Sequence, residues 1–402
     1  MLKLYGHSLF FLGYDKEGSL NNPGNKYIEN GVSIDIAKLI GIYLVILGHL
    51  PLIGEATGTS FSLSFISAFH MPLFFFLSGY VEKNRSVKET FIRSVKGLLV
   101  PYVCMYLTTY LWWLFVSYLR HPDEFGRSFF TGFIEPMLGM LFSCHSSVSY
   151  MLTLPLWFLV ALFWCRMIYA LGNKTKQAVS IAFCLFGIVF SIILWHMHKN
   201  IPFFTFAPLC MGFPFYYTGA LIQKTSLLKQ QRSIFMQVVL TLITLLIVGT
   251  VTYFNGGGMG IYGVNYGNSP ILFFMGAYSG ILMMCSFSQI FPSLCRFLQM
   301  LAQNTIVILA WHTIIQGFIK KLYARLFLHL PSLGDTELTT GSGICIALIT
   351  LLLCAIPCYV ISTWFPWMLG KKETPNGTYR REYKKINRKA YFFFALGRFF
   401  TS

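Results

Sequence analysis

Asp35, Lys38 and His49 lie within one otherwise apolar stretch, Ser33 to His49. On a helix, at about 100° per residue, His49 falls within roughly 20° of Lys38 and 40° of Asp35, about 16 and 21 Å further along the axis. The three groups therefore share one face. Ionisable groups inside an apolar span are costly, and each calls for a partner or a chemical role. Asp35 can complement the positive end of the helix, and Lys38 can reach out to polar headgroups. Neither device accounts for His49 at the far end, next to Gly48, where a neighbouring helix or a ligand can come close. A neutral imidazole there can take a proton from a hydroxyl or accept an acyl group itself.

A second histidine, His70, stands near the middle of the next apolar run, Phe65 to Tyr80, beside Pro72. Proline frees a backbone carbonyl within a helix and commonly marks a kink or a site. Alone on an apolar face, such a histidine reads as a satisfied core residue. On a helix antiparallel to the first, it reads as part of the same site as His49. His312 follows Trp311 in a later run; with Gln303 and Asn304 upstream, it reads chiefly as helix-to-helix hydrogen bonding. The spacing Gly258, Gly260 and Gly263 imitates a dinucleotide fingerprint but lacks the strand and helix that would give it meaning, and is rejected.

The elements that position these groups follow from composition. The chain has 402 residues, of which 55% are hydrophobic and 11% charged, far below the quarter usual in soluble domains. Ten apolar runs, near 33–53, 60–80, 98–119, 153–171, 178–197, 203–223, 234–254, 270–291, 303–319 and 343–369, are each long enough to cross a bilayer as a helix. Helices satisfy all their backbone groups internally in lipid, so the expected fold is all-α: a polytopic bundle of about ten transmembrane helices. Residues 1–32 read as an N-terminal tail, 33–370 as the transmembrane domain and 371–402 as a basic C-terminal tail.

The net charge of +17 would suggest nucleic acid in a soluble protein, but here the basic residues sit between apolar runs. No nucleic-acid partner is expected. Lys and Arg concentrate in alternate loops (Lys83 to Lys96, Arg166, Lys174, Lys176, Lys224, Arg232, Arg296) and in the C-terminal tail, which places both termini in the cytoplasm. Lys320, Lys321 and Arg325 run against that pattern, so they either reach outer headgroups or mark a misplaced ninth span. The ten cysteines show no metal-ligand spacing, and no metal is expected.

The order of motifs is specific: Asp35 to His49, then Phe69-His-Met-Pro-Leu-Phe-Phe-Phe-Leu-Ser-Gly-Tyr80, then a basic segment ending at Pro101-Tyr102, then Leu156-Trp-Phe-Leu159. The chain resembles the acyltransferase 3 family of integral membrane acyltransferases, and within it the fucose 4-O-acetylase-like sugar O-acetyltransferases. The resemblance implies transfer of an acetyl or other short acyl group from cytoplasmic acyl-CoA to a hydroxyl of a cell-envelope polysaccharide or lipid-linked sugar, at the inner membrane. It also implies that His49 is the essential catalytic residue; Asp35 and His70, by their own placement within the spans, are its candidate companions. The CoA phosphates, which cannot enter lipid, are expected at Lys38, Arg85, Arg93 and Lys96, with Trp157 a candidate wall of the donor path. Many relatives carry Arg where this chain has Lys38, and an ammonium cannot grip phosphate with two parallel bonds as a guanidinium does. A continuous passage from the basic face to His49 is expected to admit the pantetheine arm. The rival reading is a transporter or flippase for a lipid-linked glycan, with Asp35, Lys38 and His70 as a relay. That reading expects broken helices in matching halves, of which the sequence gives no sign.

Overall fold

A computed structural model describes residues 24–52, 60–120, 130–144, 151–199, 201, 203–225, 232–256, 258–330 and 337–371. The described residues are helical throughout apart from turns and two isolated bridges, Leu52 with Leu338 and Gly260 with Asn265. In chain order the helices are α1 (Gly24–Gly48), α2 (Phe61–Tyr80), α3 (Val87–Ser94), α4 (Val100–Arg120), α5 (Glu135–Phe142), α6 (Trp157–Lys174), α7 (Ala178–His196), α8 (Phe206–Thr225), α9 (Ile234–Asn255), α10 (Pro270–Gln289), α11 (Arg296–Gln303), α12 (Thr305–Phe327), α13 (Thr340–Leu353) and α14 (Ala355–Trp364).

The expected polytopic bundle is present, but by length and composition eight candidate spans stand where ten were counted. They are α2, the α3–α4 rod, α6, α7, α9, α10, α12 and the α13–α14 pair. The other two runs also form helices. α8 lies against α2, α6 and α7, and its inner residues from Ala207 to Tyr216 are almost all buried. A helix wrapped by protein has no need of uniformly apolar residues, and α8 carries Pro214, Gly212, Gly219 and two tyrosines. α1 packs against α2, α10, α12 and α13 and places its own ionisable groups inside.

Three boundaries depart from the sequence reading. The run 343–369 is two helices: Pro357 cannot donate to the carbonyl of Leu353, and the rod breaks at Cys354. The basic segment is α3, joined to α4 through a widened turn at Val95–Leu99. Pro101 follows that turn and can offer no N–H to it, and such turns absorb an insertion at the cost of a kink. The ninth run continues past residue 319 to Phe327, so Lys320, Lys321 and Arg325 ride on the last two turns of α12 rather than in a loop.

Glycine decides the closest helix contact. A Cβ on Gly79 would overlap the carbonyl of Tyr216, and one on Gly219 would overlap the carbonyl of Phe76. α2 and α8 thus meet backbone to backbone, which brings Tyr216 beside the residues that follow α2.

Candidate active site

His49 lies in the turn just after α1, where its backbone N–H still bonds Ile46. α1 is helical up to Gly48 because nothing in Leu39–Leu47 interrupts an apolar run, and the chain turns there before Pro51. His70 lies on α2, whose N-terminus is capped by the Ser60 hydroxyl accepting from the Leu63 N–H. His312 lies on α12 and has no exposed surface.

The fold brings these histidines together. The rings of His49 and His312 meet edge to face with centroids 5.1 Å apart. His70 stands close enough to His49 to feel its charge, and His49 in turn feels that of Lys320. Gln316, one turn after His312, donates to the Ile46 carbonyl at 2.9 Å and ties α12 to the end of α1. Around it, the Leu338 N–H donates to the Pro51 carbonyl at 2.7 Å, so the segment entering α13 covers one side of the His49 turn. His49 itself is exposed and His70 half-buried, although three helices surround them.

All three rings share one orientation device. The Nδ1–H of His49 donates to Val45 at 2.8 Å, that of His70 to Ile66 at 2.8 Å and that of His312 to Ile308 at 2.9 Å. A carbonyl can only accept, so each neutral ring carries its proton on Nδ1 and leaves the Nε2 lone pair unprotonated. His49 and His70 keep accessible surface, whereas His312 has none. Nε2 of His312 is buried without a hydrogen-bond partner, an unusual state for a buried polar atom.

The remaining sequence candidates fall elsewhere. Asp35 and Lys38 form an ion pair at 2.6 Å and are both buried. Along α1 they are about 21 and 16 Å from His49, as their spacing requires. Of the other expected phosphate ligands, Arg85 lies 3.5 Å from both Glu82 and Glu89, and Arg93 donates to Glu89 at 3.0 Å. Lys96 is exposed in the widened turn before α4. Trp157 is buried against Phe75 and the Tyr262 ring, with centroids 6.4 and 5.4 Å away.

A buried polar cluster at the opposite end of the bundle was not anticipated. Glu82, just past α2, accepts from Arg166 Nε at 2.8 Å and from the Tyr216 hydroxyl at 2.8 Å. Arg166, counted in the sequence as an inner-loop charge, is instead buried within α6. The single sign of it in the sequence is a lone arginine after the apolar run Phe158–Cys165. The loop after α9 is likewise structural: Tyr266 is buried with its hydroxyl on Ser191 at 2.7 Å, and Asn255 bonds both Tyr266 and Ser269.

A small cavity of about 30 Å³ lies among α1, α2 and α10, beside Ala37 and Tyr80, and a larger one of about 240 Å³ lies between α4 and α12. Neither has His49 or His70 in its lining. The expected passage between the two ends of the bundle is therefore not formed by either. Among the described residues no group of histidine, cysteine and carboxylate side chains is placed to hold a metal.

A family model described as an acyltransferase domain matches residues 32–397. No curated protein and no solved structure matches the chain. The matched span covers nearly the whole chain and includes every histidine of the cluster, so the chain belongs to the acyltransferase 3 family and is a membrane acyltransferase.

Proposed function

We propose that the protein moves an acetyl or other short acyl group from cytoplasmic acyl-CoA to a hydroxyl of an envelope polysaccharide or lipid-linked sugar, in the manner of the fucose 4-O-acetylase-like enzymes, and that it does so at the inner membrane with both termini cytoplasmic. The observation that carries this reading is the meeting of His49 with His312, with His70 near by, each ring holding its proton on Nδ1 and leaving Nε2 as a base.

In the proposed reaction, Nε2 of His49 takes the proton of the acceptor hydroxyl while its oxygen attacks the thioester carbonyl. The C–S bond breaks, and the imidazolium returns the proton to the departing thiolate, leaving an ester and free CoA thiol. Such general-base help is worth about 10²–10⁴-fold. His312 meets the His49 ring edge-on, and its Nε2 lone pair suits it to steady the positive charge that His49 acquires. His70 stands on the α2 side of His49. Lys38, Arg85 and Arg93 already have carboxylate partners, so the donor phosphates are assigned first to the exposed Lys96 in the turn after α3, with Arg93 beside it and Lys38 further inside as charges already shared with a carboxylate.

The test uses purified protein in proteoliposomes with radiolabelled acetyl-CoA, followed by scoring of alkali-labile label on envelope glycans. His49→Ala is expected to lower transfer by at least 10²-fold while the protein still inserts and binds CoA. Transfer near the wild-type rate in that variant would overturn the assignment.

A further inference from the structure

The 240 Å³ cavity lies at the His49 end of the bundle, between the second half of α4 and the middle of α12, and is closed on one side by Leu152 and Thr153. Its walls combine three chemistries. Trp112 and Trp113 supply broad flat surfaces; Trp112 is held edge-on by Trp311 at 6.1 Å and by Phe318 at 6.2 Å, and Trp113 stacks on Tyr110 at 6.0 Å. A hydroxyl comes from Thr313; those of Thr109 and Thr153 are buried and bonded to each other at 2.7 Å, Thr109 also to the carbonyls of Met105 and Tyr106, so they close the wall rather than face a ligand. Lys321 is exposed and supplies the positive charge of the lining.

A lipid tail would be served by the indoles alone and gains nothing from a hydroxyl. A sugar ring uses all three, since its C–H faces lie on aromatic surfaces while its hydroxyls exchange hydrogen bonds at the edge. The volume is below the roughly 300–1,000 Å³ of sites for drug-sized ligands and suits a single ring. Lys321 asks for an acidic group on that ring or beside it. The position also fits: Thr313 and Gly317 directly follow His312 and Gln316, the two residues through which α12 meets the His49 turn.

We propose that this cavity is an acceptor subsite holding one sugar unit with an anionic substituent, carboxylate or phosphate, next to the unit that is acylated. The proposal rests on the reading of the protein as a glycan O-acyltransferase and gives the acceptor a chemical class.

The experiment is a titration of intrinsic tryptophan fluorescence on the purified full chain in detergent. The probes are trigalacturonic acid, glucose 1-phosphate, neutral maltotriose and, separately, phosphatidylglycerol bicelles. Saturable quenching is expected at least tenfold tighter for an acidic sugar than for maltotriose, and the tighter of the two acidic probes identifies carboxylate or phosphate. Lys321→Gln, a change at an exposed position, should remove that tenfold preference. Trp112→Ala should abolish quenching and Trp112→Phe should keep most of it, which separates loss of the subsite from loss of fold. In turnover, Lys321→Gln should raise the acceptor KM about tenfold with kcat and CoA affinity unchanged. Quenching by phosphatidylglycerol alone, or none by any sugar, would overturn the proposal. His49→Ala should leave the binding intact, so failure of the catalytic assignment and failure of this subsite give different results.

Discussion

Lys38 and Asp35 form a buried pair whose structural role and proposed role in donor binding can be separated. Each is almost wholly covered, and they are paired at 2.6 Å, so removing one strands the other. Loss of one partner of a buried pair costs about 3–5 kcal/mol, whereas replacing both by neutral groups of similar size costs far less. Lys38→Ala should therefore lower the thermal unfolding temperature sharply, and Asp35→Asn/Lys38→Met should restore most of it. CoA affinity should stay weak in the double variant, because a neutral pair offers a phosphate nothing; Lys38→Arg should retain much of it. Recovery of CoA affinity in the double variant would give Lys38 a structural role alone. His312 has a test of its own. His312→Gln should lower kcat about 10–100-fold at unchanged KM for acyl-CoA and shift the acid limb of the pH–rate profile if, as proposed, the ring acts through the charge on His49. A loss of protein yield with normal kcat in what remains would mark it as packing.

At the level of elements, the α2–α8 contact governs the far end of the bundle. Gly79 and Gly219 let the backbones touch, and that approach puts the Tyr216 hydroxyl on Glu82 alongside Arg166. Overpacking a tight contact costs about 1–3 kcal/mol, and more where backbone must move. Gly219→Val is expected to destabilise the protein by at least that amount in thermal unfolding, and to weaken the Glu82–Arg166 pair. In a double-mutant cycle, Glu82→Gln and Arg166→Met should each cost more alone than the pair costs together. Additive effects would mean that the two groups are not partnered in the membrane. The glycines and the aromatic run of α2 are plain in the sequence, but nothing in them tells which helix they will face.

For the molecule as a whole, orientation is the property to be measured. With both termini proposed as cytoplasmic, the segment between α10 and α11 faces the cytoplasm, and it holds the exposed Cys295. A membrane-impermeant maleimide should label Cys295 in inverted membrane vesicles and not in right-side-out ones. The opposite result would place His49 at the cytoplasmic face and remove the need for a passage through the bundle.

The sequence by itself determined the helical class, the family and the histidines, because these depend on quantities local to the chain. Twenty-residue apolar runs force helices in lipid, and Asp35, Lys38, His49 and His70 announce themselves by standing charged or polar within them. Span boundaries were less legible where one residue redirects the backbone, as Pro357 splits the last run and the turn before Pro101 joins α3 to α4. What the tertiary structure alone decided is partnership. His312, read from sequence as a helix-packing residue, meets His49, and Gln316 reaches the Ile46 carbonyl across 270 residues of chain, while Arg85 and Arg166 are bound to Glu82. A side chain's spacing fixes the face of its own helix that it occupies. Which helix lies opposite is set by the packing of all the others, and that information is spread over the whole chain.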